Sequence, residues 1–142
     1  MKRNGLVKDF LKDLSLSSDK NDLALYNYVK AHLNKGLYNK PCTSRGDLIE
    51  MVASGVAVNR DGKNGVSKGD FYYAPLKQMV EVKAISRKSG AHAELKGSIC
   101  KNYLVFFINK LEWRLIPASQ MVATNGKYLY KDNESKGVRV EI

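Results

Sequence analysis

Gly69-Asp70-Phe71-Tyr72-Tyr73-Ala74-Pro75-Leu76-Lys77-Gln78-Met79-Val80-Glu81-Val82-Lys83-Ala84-Ile85 sets two strand-like runs on either side of a turn. Before it, apolar residues recur at helical spacing; from Val56 onward the period shortens to two and the residues become β-branched or aromatic. Ala74-Pro75-Leu76-Lys77 has turn composition, so 69–73 and 79–85 predict an antiparallel hairpin. If the loop leaves Tyr73 facing Gln78, counting back along both strands sets Asp70 opposite Glu81. Alternation then puts Lys83 on the Glu81 face and turns Val80, Val82 and Ala84 to the other.

Toward the N-terminus, Leu6, Val7, Phe10, Leu11 and Leu14 predict a first helix. Ser17-Ser18-Asp19 can end it and cap a second, from Asp22 to Leu33, with Leu25, Tyr26, Val29 and Leu33 on one face and Gly36 as a stop. A third helix is expected from Thr43 or Ser44 to Gly55, with Asp47 three positions after Ser44 in a capping box of the Ser-x-x-Asp form. Val56–Val58 reads as a short strand and 59–68 as a polar loop. Beyond the hairpin, Tyr103–Ile108 is a near-continuous apolar run, as expected of a strand buried on both faces, with Glu112–Ile116 as its antiparallel partner. Lys127–Tyr130 and Gly137–Ile142 predict a terminal hairpin around Asp132-Asn133-Glu134-Ser135. Helices first and strands afterwards favour an α+β fold, a central mixed sheet preceded by N-terminal helices. No repeat or linker divides the chain, so one domain is expected over 1–142: helices in 1–42, a core in 43–122 and the hairpin in 123–142.

The balance of 24 Lys and Arg against 14 Asp and Glu gives a net charge of +10 and calls for a polyanionic partner, nucleic acid by default. Hydrophobic residues are 44% of the chain, which excludes disorder as its general state. Cys42 and Cys100 match no zinc spacing and read as reduced thiols, hence a cytoplasmic setting. The charged start Met1-Lys-Arg-Asn-Gly and the lack of a long apolar stretch predict neither a signal peptide nor a membrane helix.

The hairpin is where chemistry is expected. Asp70 and Glu81, held a few ångströms apart, repel unless a divalent cation joins them, and Mg²⁺ suits two carboxylate oxygens. Lys83 beside them can hydrogen-bond an attacking water or stabilise charge on a phosphorane-like transition state, so the implied reaction is phosphodiester hydrolysis. The plain alternative is a solvent-facing cross-strand salt bridge.

Gly69-Asp70, ten residues, then Glu81-Val82-Lys83 resembles the signature of the PD-(D/E)XK nucleases, the superfamily of many restriction enzymes, archaeal Holliday-junction resolvases and some homing endonucleases. Gly69 stands where that signature usually has Pro. The helix Thr43-Ser-Arg-Gly-Asp-Leu-Ile-Glu50 resembles the segment in which many members carry a further acid, and Tyr103–Ile108 with Trp113–Gln120 resembles their later core strands, so the likeness spans roughly 44–120. It implies a three-layer α/β/α core and Mg²⁺ (or Mn²⁺) on Asp70, Glu81 and Glu50. It also implies double-stranded or branched DNA as substrate. Restriction-type double-strand cleavage is the first expectation and implies a homodimer or higher oligomer. A junction resolvase, a homing endonuclease and a non-catalytic basic nucleic-acid-binding module are the alternatives. Arg87, Lys88 and His92 in the basic run after Lys83, Lys68 and Ser67 before Asp70, and Arg45 beside the helix start are the candidate DNA contacts.

Overall fold

A computed structural model describes residues 5–42, 44–55, 71–86, 91–92 and 100–142. The chain divides into two compact units, 1–58 and 59–142, where the sequence reads as one domain. The boundary follows the third helix, so that helix belongs with the first two and not with the sheet.

In the first unit, α1 (Val7–Ser15) buries Val7, Phe10, Leu11 and Leu14 along one stripe, the apolar spacing read from sequence. No side chain caps it. Instead its first amides donate to the chain that follows the second helix, Val7 N to Lys40 O and Lys8 N to Tyr38 O, each at 2.9 Å. Asp19 caps α2 (Lys20–His32), its carboxylate accepting from Asn21 N at 2.8 Å. Leu25 and Val29 are its fully buried positions. The helix stops before Gly36, which lies in a 3-10 turn over Lys35–Leu37 started by the Asn34 side chain. Ser44 caps α3 (Arg45–Ser54) by accepting from Asp47 N at 3.1 Å, and Gly55 ends it at φ +73°, a left-handed position that glycine takes at little cost.

The second unit begins with β1 (Phe71–Tyr73) and β2 (Gln78–Ile85), joined by a 3-10 turn at Ala74–Leu76 and a left-handed Lys77. Then follow β3 (Ala91–His92), β4 (Asn102–Phe107), β5 (Glu112–Pro117), β6 (Ala123–Thr124), β7 (Lys127–Tyr128), α4 (Tyr130–Asn133) and β8 (Val138–Val140). The main sheet has the order β1-β2-β4-β5-β8, and a small one has the order β3-β7-β6. Only β2 and β4 run parallel in the main sheet. A parallel pair needs a crossover of a dozen residues or more, and 86–101 supply it. β4 is buried from Tyr103 to Phe107, so both its faces are covered, as its unbroken apolar run predicts. The fold is α+β with its helices at the N-terminal end and a mixed sheet after them.

The terminal hairpin does not form. β7 pairs with β3 and β6, while β8 adds to the main sheet along β5. Between them the first half of the stretch read as a turn, Asp132-Asn133, belongs to the short helix α4, Glu134-Ser135 form a turn after it, and Asn133 is wholly buried. Its side-chain amide donates to Val122 O (2.8 Å) and Leu129 O (3.0 Å), and its oxygen accepts from Val122 N (2.9 Å). Turn composition here serves an internal clamp. The expected strand at 56–58 and the polar loop at 59–68 lie outside the described residues.

Candidate functional site

The hairpin has the register expected of it: Phe71 pairs with Val80, Tyr72 with Met79 and Tyr73 with Gln78. On β2, Val80 and Val82 are buried on one side, and Glu81 and Lys83 stand half-buried on the other, about 7 Å apart along the strand. Asp70, the residue before β1, lies outside the described residues, as do Ser67, Lys68, Arg87 and Lys88. His92 lies in β3 opposite Lys127 instead of in a continuous loop.

Parallel pairing extends this face across the sheet. Glu81 lies beside Tyr103, Lys83 beside Val105 and Ile85 beside Phe107; the next strand adds Ile116, Arg114 and Glu112 in the same rows. Tyr128 and Tyr130 pack over the apolar part, completing a buried cluster with Ile85, Tyr103, Val105, Phe107 and Ile116. Tyr103 meets Tyr128 edge-on at 5.6 Å between ring centroids, and Phe107 meets Tyr130 at 5.3 Å. The two charged side chains of β2 therefore stand beside an aromatic cluster that limits water on one flank.

The cluster shows in the chemistry of Tyr128. Burial pushes its phenol well above the ordinary 10.0, with Tyr103 and the negative charge of Glu81 adding in the same direction. Among the described residues its hydroxyl has no hydrogen-bond partner of normal geometry, although Tyr103 is close enough to act on it electrostatically. Tyr128 is thus a neutral phenol within the field of the Glu81 carboxylate.

The cations on this face divide into two kinds. Arg114 is committed to structure: it donates to Lys136 O at 2.7 Å and Gly137 O at 3.2 Å, and pairs with Glu112 at 3.2 Å. Arg139 reaches the other oxygen of Glu112 at 3.6 Å. Lys83 has no ion pair among the described residues, and Asp70, the cross-strand residue of the plain salt-bridge alternative, lies outside them. In the first unit, Glu50 lies on α3, and Arg45 pairs with Asp22, which also accepts from Ser17 Oγ at 2.8 Å. Arg45 thereby ties the start of α3 to α2, and its charge is already engaged.

Glu81 supplies carboxylate oxygens of the kind Mg²⁺ takes. It is one donor of the expected set; among the described residues no group of three or more His, Cys, Asp or Glu side chains is placed to hold a metal ion. Nor is any described helix long and apolar enough to cross a membrane. Cys42 and Cys100 are both buried, and neither is in a disulfide.

Tyr103, Tyr128 and the Arg114–Glu112 pair escape the sequence reading. Which residue of β4 stands beside Glu81 depends on the stagger of two parallel strands joined by a long connection, and no local pattern encodes that offset. Comparison of the chain with protein-family models, curated proteins and solved structures finds no match.

Proposed function

We propose that the chain is a Mg²⁺-dependent DNA endonuclease that hydrolyses phosphodiester bonds, with Asp70, Glu81 and Lys83 at its centre. The observation that supports this reading is the hairpin register, which sets Glu81 and a half-buried Lys83, with no ion pair among the described residues, on one face of β2, across the turn from β1 and the Asp70 that precedes it in sequence. Asp70 and Glu81 would hold the cation, which when bound supplies polarisation of a phosphodiester oxygen and a lowered pKa of water. Lys83 then has a defined task. Its ammonium orients the attacking water and offsets charge on phosphorus as the new P–O bond forms and one ester P–O bond breaks, the proton passing to the leaving oxygen. The aromatic cluster of Tyr103 and Tyr128 keeps the Glu81 flank dry and the carboxylate field strong. Restriction-type double-strand cleavage by a homodimer is the first form of the proposal, and a junction resolvase or homing endonuclease the second.

The test sets linear genomic DNA beside a synthetic four-way junction, each with Mg²⁺ and with EDTA. Discrete fragments indicate the restriction form, and junction-only cutting the resolvase form. EDTA stops either, and Lys83→Ala and Asp70→Asn lower cleavage by about a hundred-fold or more while DNA binding persists. Cleavage at the wild-type rate in either variant overturns the assignment. DNA binding with no cleavage under any divalent cation leaves the non-catalytic module in its place.

A further inference from the structure

The first unit carries a basic groove that the hairpin chemistry does not use. Lys8, Leu11 and Lys12 of α1 line it with Tyr26 and Lys30 of α2, and Tyr38 of the segment after α2 completes a volume of about 230 Å³. Leu11 is buried and forms an apolar floor with the tyrosine rings, while the three lysines are exposed. None of these lysines has an ion pair among the described residues, and none of the described lining residues is an acid. Lys8 and Lys12 stand one helical turn apart, a like-charge spacing that costs a helix stability unless an anion lies between them. The Lys30 ammonium lies 5.5 Å from the centroid of the Tyr26 ring. At the far side the Tyr38 hydroxyl is buried and has no hydrogen-bond partner among the described residues.

Cations without counter-ions among the described residues, set around two aromatic rings and an apolar floor, match one polymer chemistry. Phosphates meet the lysines, and unpaired bases stack on the tyrosines. An acidic peptide satisfies the charge but leaves the rings unused, and a membrane surface needs a convex or flat contact instead of a concave one. We infer that this groove binds a single-stranded segment of nucleic acid, with Lys8, Lys12 and Lys30 on its phosphates and Tyr26 or Tyr38 under a base. The inference stands apart from the cleavage reading, because binding is measured without metal.

Fluorescein-labelled oligothymidylate, titrated with the full chain in EDTA and followed by anisotropy, tests it. Lys8→Ala/Lys12→Ala/Lys30→Ala should weaken binding at low salt by about ten-fold or more and reduce the slope of log affinity against log salt by about two, at roughly 0.7 per phosphate contact. Tyr26→Leu/Tyr38→Leu should weaken it by roughly ten-fold with the slope unchanged, since stacking releases no counter-ions. Lys35→Ala/Lys40→Ala removes two charges from the same unit outside the groove and should stay within about three-fold of wild type. Far-UV circular dichroism confirms that the helices persist in each variant. A triple variant that binds within two-fold of wild type overturns the proposal. So does an equal loss of binding to duplex DNA or to anionic phosphatidylserine vesicles, because either outcome makes the lysines a general charge and not a strand site.

Discussion

Gly137 has no room for a side chain. It sits at φ +63°, and a Cβ there would lie 2.1 Å from Leu115 O and 2.8 Å from Ile116 Cα, both backbone atoms that cannot rotate away. The close approach is what lets Arg114 bind the carbonyls of Lys136 and Gly137 and brings β8 onto β5. Gly137→Ala should therefore cost about 3 kcal/mol or more from left-handed strain and backbone overlap together. Trp113, the chain's only Trp, pairs with Val140 of β8, so its fluorescence reports the loss as a lower denaturation midpoint. A shift worth less than about 1 kcal/mol would show that β8 does not pair in this way. Asn133 makes the opposite point, that a polar residue belongs inside when every atom is partnered. Asn133→Asp keeps the acceptor for Val122 N but turns a carboxylate toward two carbonyl oxygens, so it should destabilise by about 2–4 kcal/mol at pH 7. Protonating the carboxyl removes the charge and restores one donor, so part of that stability should return below about pH 5. Unchanged instability across that range would count against the buried clamp.

At the scale of elements, β4 separates what is readable locally from what is not. Helices α1 to α3 and the β1–β2 hairpin follow from spacing, caps and turn residues that all lie within a few positions of one another. The pairing of β2 with β4, by contrast, joins residues 22 apart through a crossover, and so Tyr103 and Tyr128 beside Glu81 are invisible until the chain is folded. The C-terminal stretch misleads for a related reason: Lys127–Tyr128 is only two residues long, too short for its own pattern to choose between partners. The aromatic cluster that these elements build should respond to alkali. Because the Tyr128 phenol is raised above its unfolded value of 10.0, the folded state holds this proton more tightly than the unfolded one. Its contribution to stability is complete below pH 10 and is lost as pH rises through the higher folded value. The thermal midpoint of the wild type should fall more steeply between pH 10 and 11.5 than that of Tyr128→Phe, which has no proton to lose. Parallel curves for the two proteins would show that Tyr128 is not held neutral by burial.

Over the whole molecule the charge is uneven: residues 1–58 hold nine basic and six acidic side chains, and 59–142 hold fifteen and eight. The unit with the stronger positive field is also the one in which Glu81 stands on a sheet face beside Lys83. A chain that binds DNA only through its positive charge gains nothing from a carboxylate there, since each acid near a phosphate weakens association at low salt. A cation site reverses that sign, and the reversal is measurable. If Glu81 faces a bound backbone, Glu81→Gln should tighten DNA binding about two- to five-fold in EDTA, the gain expected from removing one screened like charge within a Debye length. With Mg²⁺ present the order should invert, because the wild type now holds the cation against the phosphate and the variant has lost one of its oxygen ligands. An acid that merely decorates the surface gives the same ratio of variant to wild-type affinity with and without the metal, and that result would remove Glu81 from the proposed centre.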